Sequence, residues 1–201
     1  MNEPQQPAPE QKPPEPPREP SLERPRAGWL FLMILAVILA SDLATKYATF
    51  KFLGASIFLA PDGTPTLTSS SVYTLFPGLA LEAALNLGAF NGWFAQLPWL
   101  LIGISALALP ICLYIVLKSN HRPAVLVVAL AFISSGAVGN LYDRIIYGGV
   151  RDFIRCSIRI GEQEWVWPNF NIADSAIVCG VAMILIREWY LARRARTASA
   201  G

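Results

Sequence analysis

Two aspartates carry the chemical interest of this chain: Asp152, in GGVRDFIRC, and Asp174, in FNIADSA. Each has an ordinary explanation when taken alone. An acid in the first turn of a helix is stabilised by the unpaired N–H groups there, which accounts for Asp174. Gly148 and Gly149 can bend the chain back toward a surface on which Phe153 and Ile154 anchor, which leaves Asp152 as a polar residue beside a turn. Together the two allow something else. Carboxyl groups held within a few ångströms do not both ionise cheaply, so one keeps a proton while the other activates water. That is the chemistry of an aspartic protease. Few groups compete with it. The single histidine, His121, sits in a short basic loop, no Ser-Lys or Cys-His pair converges on one face, and no Gly-rich phosphate loop follows a strand. The three cysteines, Cys112, Cys156 and Cys179, fit neither a disulfide framework nor a metal-ligand spacing.

Two further polar groups fall at the ends of strongly apolar runs. Asp42 and Lys46 stand at i and i+4, so they share a helical face and can pair. They read either as an interfacial ion pair that ends a span or as a brace for an interior site. Asn140, Asp143 and Arg144 follow a small-residue stretch in SSGAVGNLYDR. A capping and salt-bridge arrangement accounts for them, and so does a wet cleft or an organised polar network at one end of a bundle.

The elements that must position these residues follow from composition. Charged residues make up 15% of the 201, where a soluble domain has about 25%, and the mean hydropathy is +0.43. The apolar residues come in runs at 28–50, 97–117, 124–141 and 172–190, each able to cross a hydrocarbon core of about 30 Å as a helix. A net charge of +2 is too small to point to nucleic acid. Residues 1–27 alternate Pro with charged and amide residues and read as a disordered cytoplasmic tail; 28–194 form the membrane domain, and 195–201 a second cytoplasmic tail. Basic residues flank the spans at Arg24 and Arg26, at Lys118, His121 and Arg122, and at Arg193, Arg194 and Arg196, which puts both termini in the cytoplasm. The outer segment 143–171 holds Arg144, Arg151, Arg155 and Arg159 and opposes that count. The other outer segment, 51–96, contains SIFLAPDGTPTL, two short extended pieces around an Asp-Gly turn, then an aromatic and Gly-rich stretch suited to a membrane surface.

DLATK (42–46), NLGAF (86–90), GAVGNLYDR (136–144), GGVRDFI (148–154) and FNIAD (170–174), in that order and on four spans, resemble the lipoprotein signal peptidases, the bacterial type II signal peptidases. The resemblance implies four transmembrane helices with a small β-rich periplasmic cradle and a periplasmic surface helix, in the inner membrane. It implies an aspartic endopeptidase that removes the signal peptide of a diacylglyceryl-modified prolipoprotein just before the lipidated cysteine. Asp152 and Asp174 fall on the family's catalytic pair. Asn86, Asn140, Asp143, Arg144 and Asn171 fall on positions that surround and orient it, and Asp42 and Lys46 on a support pair. No metal or organic cofactor is implied; membrane lipid and a globomycin-type cyclic peptide inhibitor are. Residues 55–80 and 156–168 are longer than the family norm. Two readings from other classes stand beside this one: a small proton-coupled membrane transporter using the same polar cluster, and a structural protein with a Pro-rich bait for partners.

Overall fold

In a hydrocarbon layer a spanning segment must satisfy its own backbone N–H and C=O groups, so long apolar runs become helices. A computed structural model describes residues 20–68, 71–88 and 96–199. The four runs form α1 (Arg24–Phe52), α2 (Pro98–Leu117), α3 (Ala124–Tyr147) and α4 (Ile172–Ser199), each long and apolar enough to cross a membrane. Helix α3 is the centre of the bundle. Its small-residue stretch is buried from Ser134 to Ala137 and again at Gly139 and Asn140. A β-carbon at Gly136 would stand 2.2 Å from the Ala173 carbonyl oxygen, and one at Gly139 would stand 2.6 Å from the Asp42 carboxylate. The absence of side chains there is what lets α4 and α1 approach α3 closely. The outward faces carry exposed Trp29, Met33, Val37, Leu107 and Ile186, as surfaces that face lipid do.

One end of the bundle bears an antiparallel sheet of β4 (Val72–Phe76), β5 (Leu79–Asn86), β7 (Val150–Ile160) and β8 (Gln163–Val166), in that order. It joins the two outer segments: β5 of the first pairs with β7 of the second, Ala84 opposite Asp152 and Asn86 opposite Val150. Phe50, Ala83 and Phe153 form a small core between the end of α1 and this sheet. The Asp-Gly turn is there too, between β2 (Ile57–Leu59) and β3 (Pro65–Leu67), with Gly63 at φ 82°. At the opposite end of the bundle β1 (Ser21–Glu23) pairs with β6 (His121–Pro123).

Four expectations are corrected or bounded. The N-terminal tail is shorter than 1–27, because 21–23 are a strand and α1 starts at Arg24 with Pro25 in its first turn, a residue whose fixed φ suits a helix start. Residues 1–19 lie outside the described residues. Helix α3 runs past Leu141 to Tyr147 and stops at Gly148 (φ 71°), which donates its N–H to the Arg144 carbonyl; Asp143 and Arg144 are therefore helical and not part of a loop. Residues 195–199 extend α4 and are not tail. No helix forms among the described residues of 53–97, so the surface helix, if it lies at 89–95, falls outside them.

Candidate active site

Helix α4 begins with a reciprocal cap. Asn171 Oδ1 accepts the Asp174 N–H at 2.9 Å, and Asp174 Oδ2 accepts the Asn171 N–H at 3.2 Å. This is the capping-box arrangement, with Asn and Asp in place of Ser and Glu, and it fixes both side chains. With its oxygen occupied, the Asn171 amide must present its NH2 group elsewhere, and Nδ2 donates to Asp152 Oδ1 at 2.7 Å. One asparagine thus touches both aspartates. The second oxygen of Asp174 accepts from Asn140 Nδ2 at 2.7 Å, and the second oxygen of Asp152 accepts from Asn86 Nδ2 at 3.2 Å. Asp152 is 2% exposed. Burial, reinforced by the charge of Asp174 alongside, pushes its carboxyl up to about 8 against the two amide donors.

Behind the pair lies a buried ionic cluster. Lys46 Nζ is 2.7 Å from Asp42, 3.1 Å from Asp143 and 3.1 Å from Asn140 Oδ1. Asp42 and Lys46 are completely buried, so they are a brace and not an interfacial pair. Asp42 also reaches α4, accepting the Ala173 N–H at 2.9 Å. Lys46 and Asn171 both donate to Asn140 Oδ1, which leaves the Asn140 NH2 facing Asp174. Asp143 holds Arg151 through Nε at 3.1 Å, Nη2 at 2.7 Å and the backbone N–H at 3.0 Å. The residue next to Asp152 is thereby clamped to the end of α3, across the Gly148 turn. Arg144 lies at the mouth and donates to the Gly88 carbonyl at 2.9 Å, tying α3 to the segment after β5.

All nine polar residues singled out from the sequence meet in this cluster, with Arg144 and Asn86 at its rim. His121 stands apart at the far end, exposed in β6, and the three cysteines are free. Sequence reasoning missed Arg151, although it adjoins Asp152, and missed Glu82, whose carboxylate accepts from Arg155 at 2.9 Å and from Asn169 at 3.0 Å. Burial opposes the Glu82 charge, but those two donors outweigh it and hold the carboxyl below its usual range. The signal for both was charge balance: two of the arginines that opposed the topology count are paired within the fold. The site opens on a cleft of about 730 Å³, lined by Asn140 and Asp174 at one end and by Ile104, Ala108, Ile177 and Val178 along the spans. An extended apolar segment fits such a cleft, with the Asp174 carboxyl at its end and Asp152 buried behind it.

The same ground is covered by likeness to known proteins. A family model described as signal peptidase (SPase) II matches residues 34–190. A lipoprotein signal peptidase of Blochmanniella pennsylvanica (strain BPEN) is 34% identical over 164 residues, 81% of this chain and 88% of its own. Another, of Sulfurihydrogenibium sp. (strain YO3AOP1), is 35% identical over 171 residues, 82% of this chain and 93% of its own. A bacterial membrane enzyme solved by the in meso method at 2.3 Å resolution superposes with a TM-score of 0.63 at 25% identity, over 80% of this chain and 88% of that one. With the likeness running from the first span to the last and the paired carboxyl groups inside it, the chain belongs to the signal peptidase II family and is an aspartic peptidase of the membrane.

Proposed function

We propose that the protein removes signal peptides from diacylglyceryl-modified prolipoproteins, cutting just before the lipidated cysteine, with Asp152 and Asp174 as the catalytic pair. The observation that carries this reading is the single residue, Asn171, whose side-chain amide binds the Asp152 carboxyl and whose backbone N–H binds the carboxyl of Asp174, which lines an apolar cleft. Asp174 lies at the N-terminus of α4 and accepts two N–H donors, which fix its carboxyl in place. Asp152 is the member that keeps the proton. In the forward step Asp174 takes a proton from water as its oxygen bonds to the scissile carbonyl carbon, and Asp152 gives its proton to the carbonyl oxygen. In the collapse the C–N bond breaks, Asp174 passes its proton to the leaving nitrogen, and Asp152 recovers one from the intermediate. Asn86 and Asn140 keep the carboxyl groups aimed and stay neutral at every pH. The signal peptide lies along the apolar cleft with its acyl chains in lipid, and a globomycin-type cyclic peptide fills the same space.

The sheet and the site lie at the end of the bundle away from Arg24, Lys118, Arg122 and Arg193. This arrangement supports an extracytoplasmic site in the inner membrane with both termini in the cytoplasm. Two of the four arginines that oppose this count, Arg151 and Arg155, are paired with Asp143 and Glu82 within the fold. The test is cleavage of a diacylglyceryl prolipoprotein by the full chain in lipid vesicles. Wild type cleaves; Asp152→Asn and Asp174→Asn each lose activity while remaining folded. Normal cleavage by both variants overturns the mechanism.

A further inference from the structure

The β7–β8 hairpin has two different faces. Side chains alternate along a strand, and the one irregularity in the β5–β7 ladder falls opposite, at 82–83 of β5, so β7 itself runs evenly from Asp152 to Ile160. Ile158 and Ile160 therefore share the face of Asp152 and Cys156. Across the hairpin Ile158 pairs with Trp165, and Trp167 donates its backbone N–H to Cys156, which adds both tryptophans to that face. The other face carries Arg159 opposite Glu164. Ile158, Ile160, Trp165 and Trp167 are 62%, 64%, 58% and 58% exposed.

Position and direction say what this face meets. The hairpin leaves the end of α3 after two residues and returns to α4 after five, 167–171, so it is held at the ends of two spans. At Asp152 this face of β7 meets the mouth of α4 through Asn171. Six residues on, at about 3.3 Å each, Ile158 is some 20 Å further along, past the width of a helix of about 10–12 Å. The apolar face adjoins the spans at its base, where Trp167 lines the cleft beside Ile177 and Val178 of α4. Tryptophans beside aliphatic residues, with charge on the reverse face, are the composition of elements seated between headgroups and acyl chains.

We propose that the Ile158, Ile160, Trp165 and Trp167 face is a lipid-surface anchor, resting on the bilayer beside the mouth of the cleft. It rests on the spans and on the hairpin's register, not on the cleavage reaction. The test uses the full chain in phosphatidylcholine–phosphatidylglycerol vesicles whose acyl chains carry bromine at a shallow or a deep carbon. Subtracting the emission of Trp165→Phe from that of wild type isolates Trp165. The expected result is a blue-shifted Trp165 signal quenched more by shallow bromine than by deep bromine and spared by iodide in the water. Three results overturn the proposal. A signal quenched by iodide and indifferent to brominated lipid puts the hairpin in water. Quenching that requires an added substrate with brominated acyl chains gives the face to the substrate. Disulfide-linked dimers of Ile160→Cys in these vesicles, above the wild-type background, give it to a second copy of the chain.

Discussion

Replacing Lys46 with Met keeps the length of the side chain and removes one charge from a closed account. Asp42 and Asp143 supply two negative charges to the buried cluster, and Lys46 and Arg151 supply two positive ones. In Lys46→Met, Asp143 still has Arg151 by three hydrogen bonds. Asp42 is the stranded partner: completely buried, it keeps one donor, the Ala173 N–H. Breaking a buried pair from one side costs about 3–5 kcal/mol, whereas removing both charges is often close to neutral. Lys46→Met is therefore expected to lose about 3–5 kcal/mol of unfolding free energy in mixed micelles, and Asp42→Asn/Lys46→Met to recover about 2 kcal/mol or more of that loss. Activity reads a second consequence. Asn140 Oδ1 loses its Lys46 donor and keeps Asn171 at 3.3 Å, so the amide that aims Asp174 is held less firmly. One ordinary hydrogen bond, about 1.4 kcal/mol, corresponds to a roughly tenfold lower kcat in the single and the double variant alike. A loss below about 1 kcal/mol for Lys46→Met, or a double variant whose loss is the sum of the two singles, refutes the closed-cluster reasoning.

Other outcomes follow from the same geometry. In the proposed mechanism Asp152 holds a proton, so kcat/KM is expected to fall as pH rises through about 8. Its folded-state value lies above the ordinary 3.8, so its contribution to stability is full below about 4 and is lost as pH rises toward 8, which unfolding titrations across that window check. Asn86→Ala removes a donor to the charged form and moves the alkaline limb of the rate profile upward by about one pH unit, from a charge-assisted bond of about 1.5 kcal/mol; a downward move contradicts the assignment. Gly136→Ala drives a β-carbon to within 2.2 Å of the Ala173 carbonyl, backbone that cannot step aside. It should cost about 1–3 kcal/mol and lower kcat by displacing the start of α4, measured by unfolding and by initial rates of the same preparation.

What could be read from the order of residues was what neighbours along the chain decide. The four spans are matters of run length. The Asp42–Lys46 pair is set by helical spacing and the β2–β3 hairpin by its Asp-Gly turn. The Asn171–Asp174 cap belongs to the same class, since it spans a single turn. Ends were read less well, because helical continuation at 142–147 and at 195–199 depends on packing and propensity that hydropathy does not measure.

Only the tertiary structure decided which of these local pieces touch. Lys46 and Asn140 are 94 positions apart, Glu82 and Asn169 are 87 apart, and Asn86 and Asp152 are 66 apart. No periodicity records such distances. They depend on α3 being bare enough at Gly136 and Gly139 for two helices to press against it, and on β5 finding β7 across the end of the bundle. Even Arg151, one residue from Asp152, had its partner hidden, because the Gly148 turn that brings it to Asp143 reverses the chain. The sequence by itself determined which carboxyl groups were available and that they belonged to a membrane. Close packing of helices and a strand pairing between distant segments determined that two of those groups share one asparagine, and burial there pushes the Asp152 carboxyl up to about 8.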